Sequence, residues 1–123
     1  MAGRSRVDSD DVAGFLPLTD LAFNVLVVLS GGRHHGYALL KELRTRSGRE
    51  SLRTGTVYAA LTRLERSGLV REVAPPEQAP AGDARRRFYD VTPLGLAVAR
   101  AEADRLRAVL DEAGARGLLP HSR

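Results

Sequence analysis

The chain contains no cysteine and no tryptophan, a single methionine, and only 5% aromatic residues. Without cysteine there can be no disulfide, no thiolate metal site and no cysteine nucleophile. The longest nearly apolar run, Leu21 to Leu29, is interrupted by Asn24 and falls well below the roughly 18 residues of a membrane span. The start, Met1 to Arg6, leads into no signal-type apolar segment, so a cytoplasmic protein with no membrane partner is expected. Lysine is nearly absent as well: the 19 basic residues are 18 Arg and Lys41. What remains is a 123-residue chain with 43% hydrophobic and 28% charged residues, enough for one modest core.

The formal net charge of +4 is unevenly spread. Residues 33–66 hold 8 basic and 3 acidic groups, and a second basic cluster is Arg85-Arg86-Arg87. A concentrated excess of this kind suits a polyanion, because phosphate neutralisation releases condensed counterions. A merely solvated basic face is the competing reading.

Residues 1–16 mix small, polar and acidic groups and read as a flexible arm. Leu18, Ala22, Val25, Leu26 and Leu29 then recur at helical spacing, giving a helix over 18–30 closed by Gly31-Gly32. A second helix is expected over 36–47, with Leu39, Leu40 and Leu43 inward. A third, over 54–67, places Val57, Leu61 and Leu64 at i, i+4 and i+7, one buried stripe that Ala60 joins. Gly55, Ala59, Thr62, Arg63 and Arg66 fall on its other side. Strands are expected at 69–74 and 86–91, joined by a loop over 75–84 with three prolines. Thr92-Pro93 is an N-cap followed by proline at the first helical position, opening a helix to about residue 114. That helix carries Leu94, Val98, Ala101, Leu106, Val109 and Leu110, more apolar surface than a lone helix on a small domain needs, so these residues are expected at a dimer seam. Residues 115–123 read as a flexible tail.

Helix, short link, helix and hairpin in this order make a winged helix-turn-helix over 17–91, followed by a dimerisation helix over 92–114. The fold class is α+β, mostly helical. A helix of about 10–12 Å diameter fits the major groove of B-DNA, where Thr62 and Arg63 can bond base edges. Double-stranded DNA is therefore the expected partner, through Tyr37, Arg53, Thr54, Thr56, Tyr58, Thr62, Arg63, Arg85, Arg86 and Arg87. For Tyr37, a phosphate contact and packing under its helix are equally good readings. The wing arginines could also be a charged edge protected from aggregation. His34-His35 invites a metal reading, but with no cysteine and only His121 besides, no metal or other cofactor is expected. No catalytic constellation is visible, so the chain is not read as an enzyme. The alternative function is a winged-helix module that binds protein and not DNA.

The His35-Gly36-Tyr37 element resembles a known pattern when taken with Gly55-Thr56-Val57-Tyr58-Ala59-Ala60-Leu61, Arg63-Leu64-Glu65, Gly68-Leu69-Val70, and Arg85 to Thr92 followed by Gly95. In order and spacing they resemble the PadR family of transcriptional regulators over about 18–110. The resemblance implies a homodimeric winged-helix regulator, usually a repressor, whose C-terminal helix dimerises and which often answers to a small aromatic or amphipathic effector. Here an effector pocket would lie between the paired helices, lined by Val98, Ala101 and Leu106. Relatives commonly begin the recognition helix with a Ser-Pro-like pair, whereas this chain has Arg53-Thr54, so Thr54 is the expected cap and Arg53 is left free.

Overall fold

The structure is a computed structural model that describes residues 9–46, 48–83 and 85–120. Its elements in chain order are helix α1 (Ser9–Ala13), helix α2 (Asp20–Leu29), strand β1 (His34–His35), helix α3 (Gly36–Arg44), helix α4 (Thr54–Arg66), strand β2 (Val70–Val73), strand β3 (Phe88–Val91) and helix α5 (Pro93–Ala115). One sheet of three antiparallel strands has the order β1-β3-β2. Among the described residues no helix is long and apolar enough to cross a membrane.

Local chemistry sets the helix starts. Thr19 accepts from the Ala22 N–H at 3.1 Å and caps α2. His35 accepts from the Ala38 N–H through Nδ1 at 3.0 Å and caps α3. Thr92 accepts from the Gly95 N–H at 2.9 Å, with Pro93 in the first helical position of α5. Helix α4 begins without a side-chain cap: Arg53 occupies the cap position and Thr54 is already helical, so Thr54 is not the cap expected from the sequence. At its other end α4 closes in a Schellman turn, with Leu69 N–H donating to Leu64 O at 2.9 Å and Gly68 at φ +80°.

The core joins Val25, Leu26 and Leu29 of α2, Leu39, Leu40 and Leu43 of α3, Val57, Leu61 and Leu64 of α4, and Leu69, Val70, Tyr89 and Val98. Gly95 lets α5 approach the sheet closely: a Cβ there would come within 2.1 Å of the Leu69 carbonyl oxygen. The Thr92 hydroxyl pins the same junction by donating to Gly68 O at 2.6 Å.

Three elements differ from the sequence reading. Residues 9–16, expected within an arm, form α1 and a turn whose Val12, Phe15 and Leu16 pack against the core. Burial of these three side chains offsets the ordering entropy that composition alone charged against the segment. His34-His35 forms a third strand, paired His34 with Tyr89 and His35 with Phe88; two residues are too few to show alternation. Strand β3 starts at Phe88, two residues later than expected, because Asp83 and Arg86 close a backbone turn (Arg86 N–H to Asp83 O, 3.0 Å) that holds the arginines outside the ladder.

Candidate nucleic-acid interface

Helix α4 divides along its axis. Val57, Ala60, Leu61 and Leu64 are buried, while Gly55, Ala59, Thr62 and Arg66 form the opposite, exposed side. Arg53, Thr54 and Thr56 are exposed around its start, where no side chain caps the first turn and the helix end favours anions. Thr62 donates its hydroxyl proton back to Tyr58 O at 3.0 Å, which turns its lone pairs and methyl outward. Arg63 sits on the flank of α4 that faces the N-terminal segment, where it lines a cleft of about 240 Å³ with Phe15, Pro17, Leu18 and Ala22.

Tyr58 sits on the other flank, toward the wing. With His35, Gly36, Arg86 and Arg87 it lines a cleft of about 150 Å³. Its ring explains Gly36, since a Cβ there would meet the Tyr58 ring at 2.4 Å. Tyr37 projects from α3 with 47% of its surface exposed. Its ring has the Lys41 Nζ at 5.6 Å and the Arg86 guanidinium carbon at 5.6 Å, both within cation–π range. Tyr37 thus belongs to an exposed cationic cluster and not to packing beneath its helix.

Within the wing, Arg85, Arg86 and Arg87 are all exposed. Arg86 donates through Nε to Asp83 at 3.0 Å. Arg87 faces Glu72 across the hairpin at 3.5 Å, and that carboxylate, with the Tyr89 phenol, stabilises the charged guanidinium. Burial pushes the Tyr89 phenol up from its ordinary value, so it stays neutral on the inner side of the wing.

The structure therefore brings Tyr37, Tyr58, Arg86 and Arg87 to one place. Arg53, Thr54, Thr56 and Thr62 follow along α4, and Arg63 stands apart on the far flank. Sequence reasoning passed over Lys41 and Arg66 as site residues. The signal for Arg66 was its spacing of four from Thr62 on a helix.

The histidine pair does not converge. His34 places Nδ1 2.8 Å from Gly32 O and faces Glu42, whereas His35 caps α3 and reaches Asp83. His121 lies outside the described residues.

On α5 the expected seam is misplaced in part. Val98 is 0% exposed within its own chain and Leu94 packs against the core, so both serve the fold. The side of α5 that goes inward is set by Gly95, whose close approach to Leu69 the apolar spacing does not reveal. Ala101 and Leu106 are half-buried, and Val109 and Leu110 are exposed. The accessible apolar stripe runs through Leu96, Ala99, Ala103, Leu106, Leu110 and Ala113, at alternating intervals of three and four. Beside it lies a groove of about 420 Å³ between α2 and α5, lined by Phe23, Val27, Leu96, Ala99 and Ala103; Val98, Ala101 and Leu106, expected to form a pocket, do not line it.

Comparison with known proteins follows the same architecture. A family model described as the transcriptional regulator PadR-like family matches residues 25–101. A PadR family transcription regulator from hypervirulent Clostridium difficile is 28% identical, with a TM-score of 0.66 over 76% of this chain and 94% of that one. The RosR protein of H. salinarum is 28% identical, with a TM-score of 0.59 over 80% of this chain and 79% of that one. A PadR-like transcriptional regulator from Bacillus cereus shares the fold at 21% identity, with a TM-score of 0.65 over 93% of this chain and all (100%) of that one. No functionally curated protein matches the sequence.

Proposed function

The chain belongs to the transcriptional regulator PadR-like family, and from that premise we propose that it is a homodimeric repressor that occupies a near-palindromic operator. The observation that carries the reading is the exposed side of α4, small and hydroxyl-bearing with a cation at its end, flanked by a basic wing. Gly55 and Ala59 let the helix approach base edges, and Thr62, Arg63 and Arg66 supply donors and acceptors to read them. Arg53, Thr54 and Thr56 at the uncapped start of α4, with Tyr37, Lys41 and the wing arginines, hold the phosphate backbone.

Dimerisation is supported by the stripe from Leu96 to Ala113, whose heptad spacing suits a helix-to-helix seam. Phe23 and Val27 of α2 extend it, and Val27 is 41% exposed in the single chain. A twofold axis through this seam would set two α4 helices into major grooves about 34 Å apart. A small aromatic or amphipathic effector would lodge in the groove between α2 and α5, where it could shift one protomer against the other.

Titration of duplex DNA at several salt concentrations tests this. The wild-type chain should bind operator and random duplex with a steep salt dependence. Replacing Arg85, Arg86 and Arg87 with Ala should weaken both, and reduce the log–log salt slope by about two to three. Absence of duplex binding at low salt, with capture of a protein partner instead, would select the alternative of a protein-interaction module.

A further inference from the structure

Besides Glu72, a second acidic residue is paired with a wing arginine. Asp83 ends the short 3-10 turn Ala81–Asp83, and its side chain is only 23% exposed. Both of its oxygens are engaged. Oδ1 accepts from Arg86 Nε at 3.0 Å, and Oδ2 lies 3.3 Å from His35 Nε2.

His35 is itself held at three points. It is paired with Phe88 in the sheet, its ring meets the Phe88 ring edge-on at 5.2 Å, and Nδ1 accepts from the Ala38 N–H. A backbone N–H can only donate, so Nδ1 must carry a lone pair. In the neutral ring Nε2 then bears the proton and donates it to Asp83. The order of constraint runs from the sheet and α3, through His35, to Asp83, and from Asp83 to Arg86.

At the end of this series the Arg86 guanidinium is fixed twice. Its Nε is bonded to Asp83, and its carbon lies 5.6 Å from the Tyr37 ring centroid. Its two terminal nitrogens have no hydrogen-bond partner among the described residues, and Arg86 lines the cleft shared by Tyr58 and Arg87.

We infer that Asp83, seated on His35, is a positioning residue that aims Arg86 at a backbone phosphate, so that an acidic group in the wing strengthens DNA binding. The inference rests on the DNA reading above. Charge counting gives the opposite sign: a carboxylate near a polyanion repels it within a Debye length of about 10 Å, and its removal should tighten binding. Holding a flexible arginine in its bound geometry removes an ordering cost at the moment of association, and this term outweighs the repulsion.

The test is a double-mutant cycle on the full chain. Asn at 83 keeps the shape but can accept through one atom only. Asp83→Asn should weaken binding to operator and to random duplex alike, roughly fivefold. In the Arg86→Ala background the same change should have no cost, or should tighten binding. Tighter binding by Asp83→Asn alone, or an equal loss in both backgrounds, overturns the inference.

A second readout needs no DNA. In wild type the Arg86 Nε–H should give a distinct, slowly exchanging NMR signal, which Asp83→Asn and His35→Gln should each abolish while the core signals persist. An averaged Arg86 signal in wild type overturns the positioning role. An ordered signal in a chain that fails to bind duplex overturns the DNA reading and leaves the structural link standing.

Discussion

Helices α4 and α5 each press one side onto the shared core, through Val57, Leu61 and Leu64 in the first and Gly95, Val98 and Glu102 in the second. α4 keeps its opposite side accessible and α5 the flank next to its buried side, and there they differ. α4 presents Gly55, Ala59, Thr62 and Arg66, which gain little from contact with another apolar surface. α5 presents Leu96, Ala103, Leu106 and Leu110, whose exposed parts bear a free-energy cost in water; full burial of each leucine is worth about 1.5–3 kcal/mol. Two helices with one period thus suit two kinds of partner: α4 a hydrated polyanion and, on the proposed reading, α5 a copy of the same chain. The caps differ too: Thr92 closes the start of α5, whereas Arg53 at the start of α4 makes no side-chain cap bond.

The harshest way to break this comparison is to give α5 an exposed side like that of α4. Leu106→Glu puts a carboxylate in the middle of the stripe, where burial without a counter-charge costs about 3 kcal/mol or more. Sedimentation velocity should show a monomer at concentrations where wild type is dimeric. Circular dichroism should stay helical, because Leu106 lies outside the core cluster. Operator affinity should fall far more than affinity for random duplex, since the two half-sites are no longer linked. A variant that remains dimeric would remove α5 from the seam.

A smaller effect is expected from the buried side of α5. Glu102 is 2% exposed. It accepts from Arg105 Nε at 2.9 Å and Nη2 at 2.7 Å, and from the Leu18 N–H at 3.4 Å. The bonds from Arg105 hold its carboxyl below the ordinary carboxylate value, against the opposing push of burial. The folded state therefore binds this proton less readily than the unfolded chain does. The stabilisation is complete above the unfolded value of about 4.3 and is lost as pH falls through the depressed folded value. Glu102→Gln should lower stability by about 1–2 kcal/mol at pH 7, less than a fully buried pair because Arg105 is 40% exposed. Thermal melts across pH 3 to 7 should show the gap closing on the acid side; a constant gap would mean that packing, and not charge, is what the substitution removes.

Most of this architecture could be read from the chain because it rests on local signals. Thr92-Pro93 announced α5, and the spacing of Val57, Leu61 and Leu64 announced α4 and the side it buries. The parts that could not be read depend on contacts between distant segments. α1 exists because Val12, Phe15 and Leu16 find the core, and nothing in residues 9–16 says that it lies within reach. β1 is two residues long and is defined by its pairing with β3. Nothing local marks Glu102 as buried, since one of the N–H groups it accepts from belongs to Leu18, 84 positions away. The phase of α5 failed for the same reason. A helix with apolar residues on several sides does not say which goes inward, and the close contact of Gly95 with Leu69 O decides it. On α4 the exposed candidates were legible, but not their division into flanks.

That division yields the finest test of the α4 side. Arg63 and Arg66 are both exposed on the same helix, one turn apart. Arg66 continues the central line of Gly55, Ala59 and Thr62, while Arg63 leans toward Phe15 and Pro17. If α4 enters the groove along its central line, both arginines reach DNA but at different depths. Arg63→Ala should weaken operator binding by about 1 kcal/mol, at the low end of a direct base contact, and relax sequence preference at one position per half-site. Arg66→Ala should cost as much or more. Competition titrations of both variants against operator and random duplex separate the roles. A loss confined to operator marks base readout, an equal loss on both DNAs marks a phosphate contact, and no loss for Arg63 would tilt the helix so that its flank toward the N-terminal segment faces away from the groove.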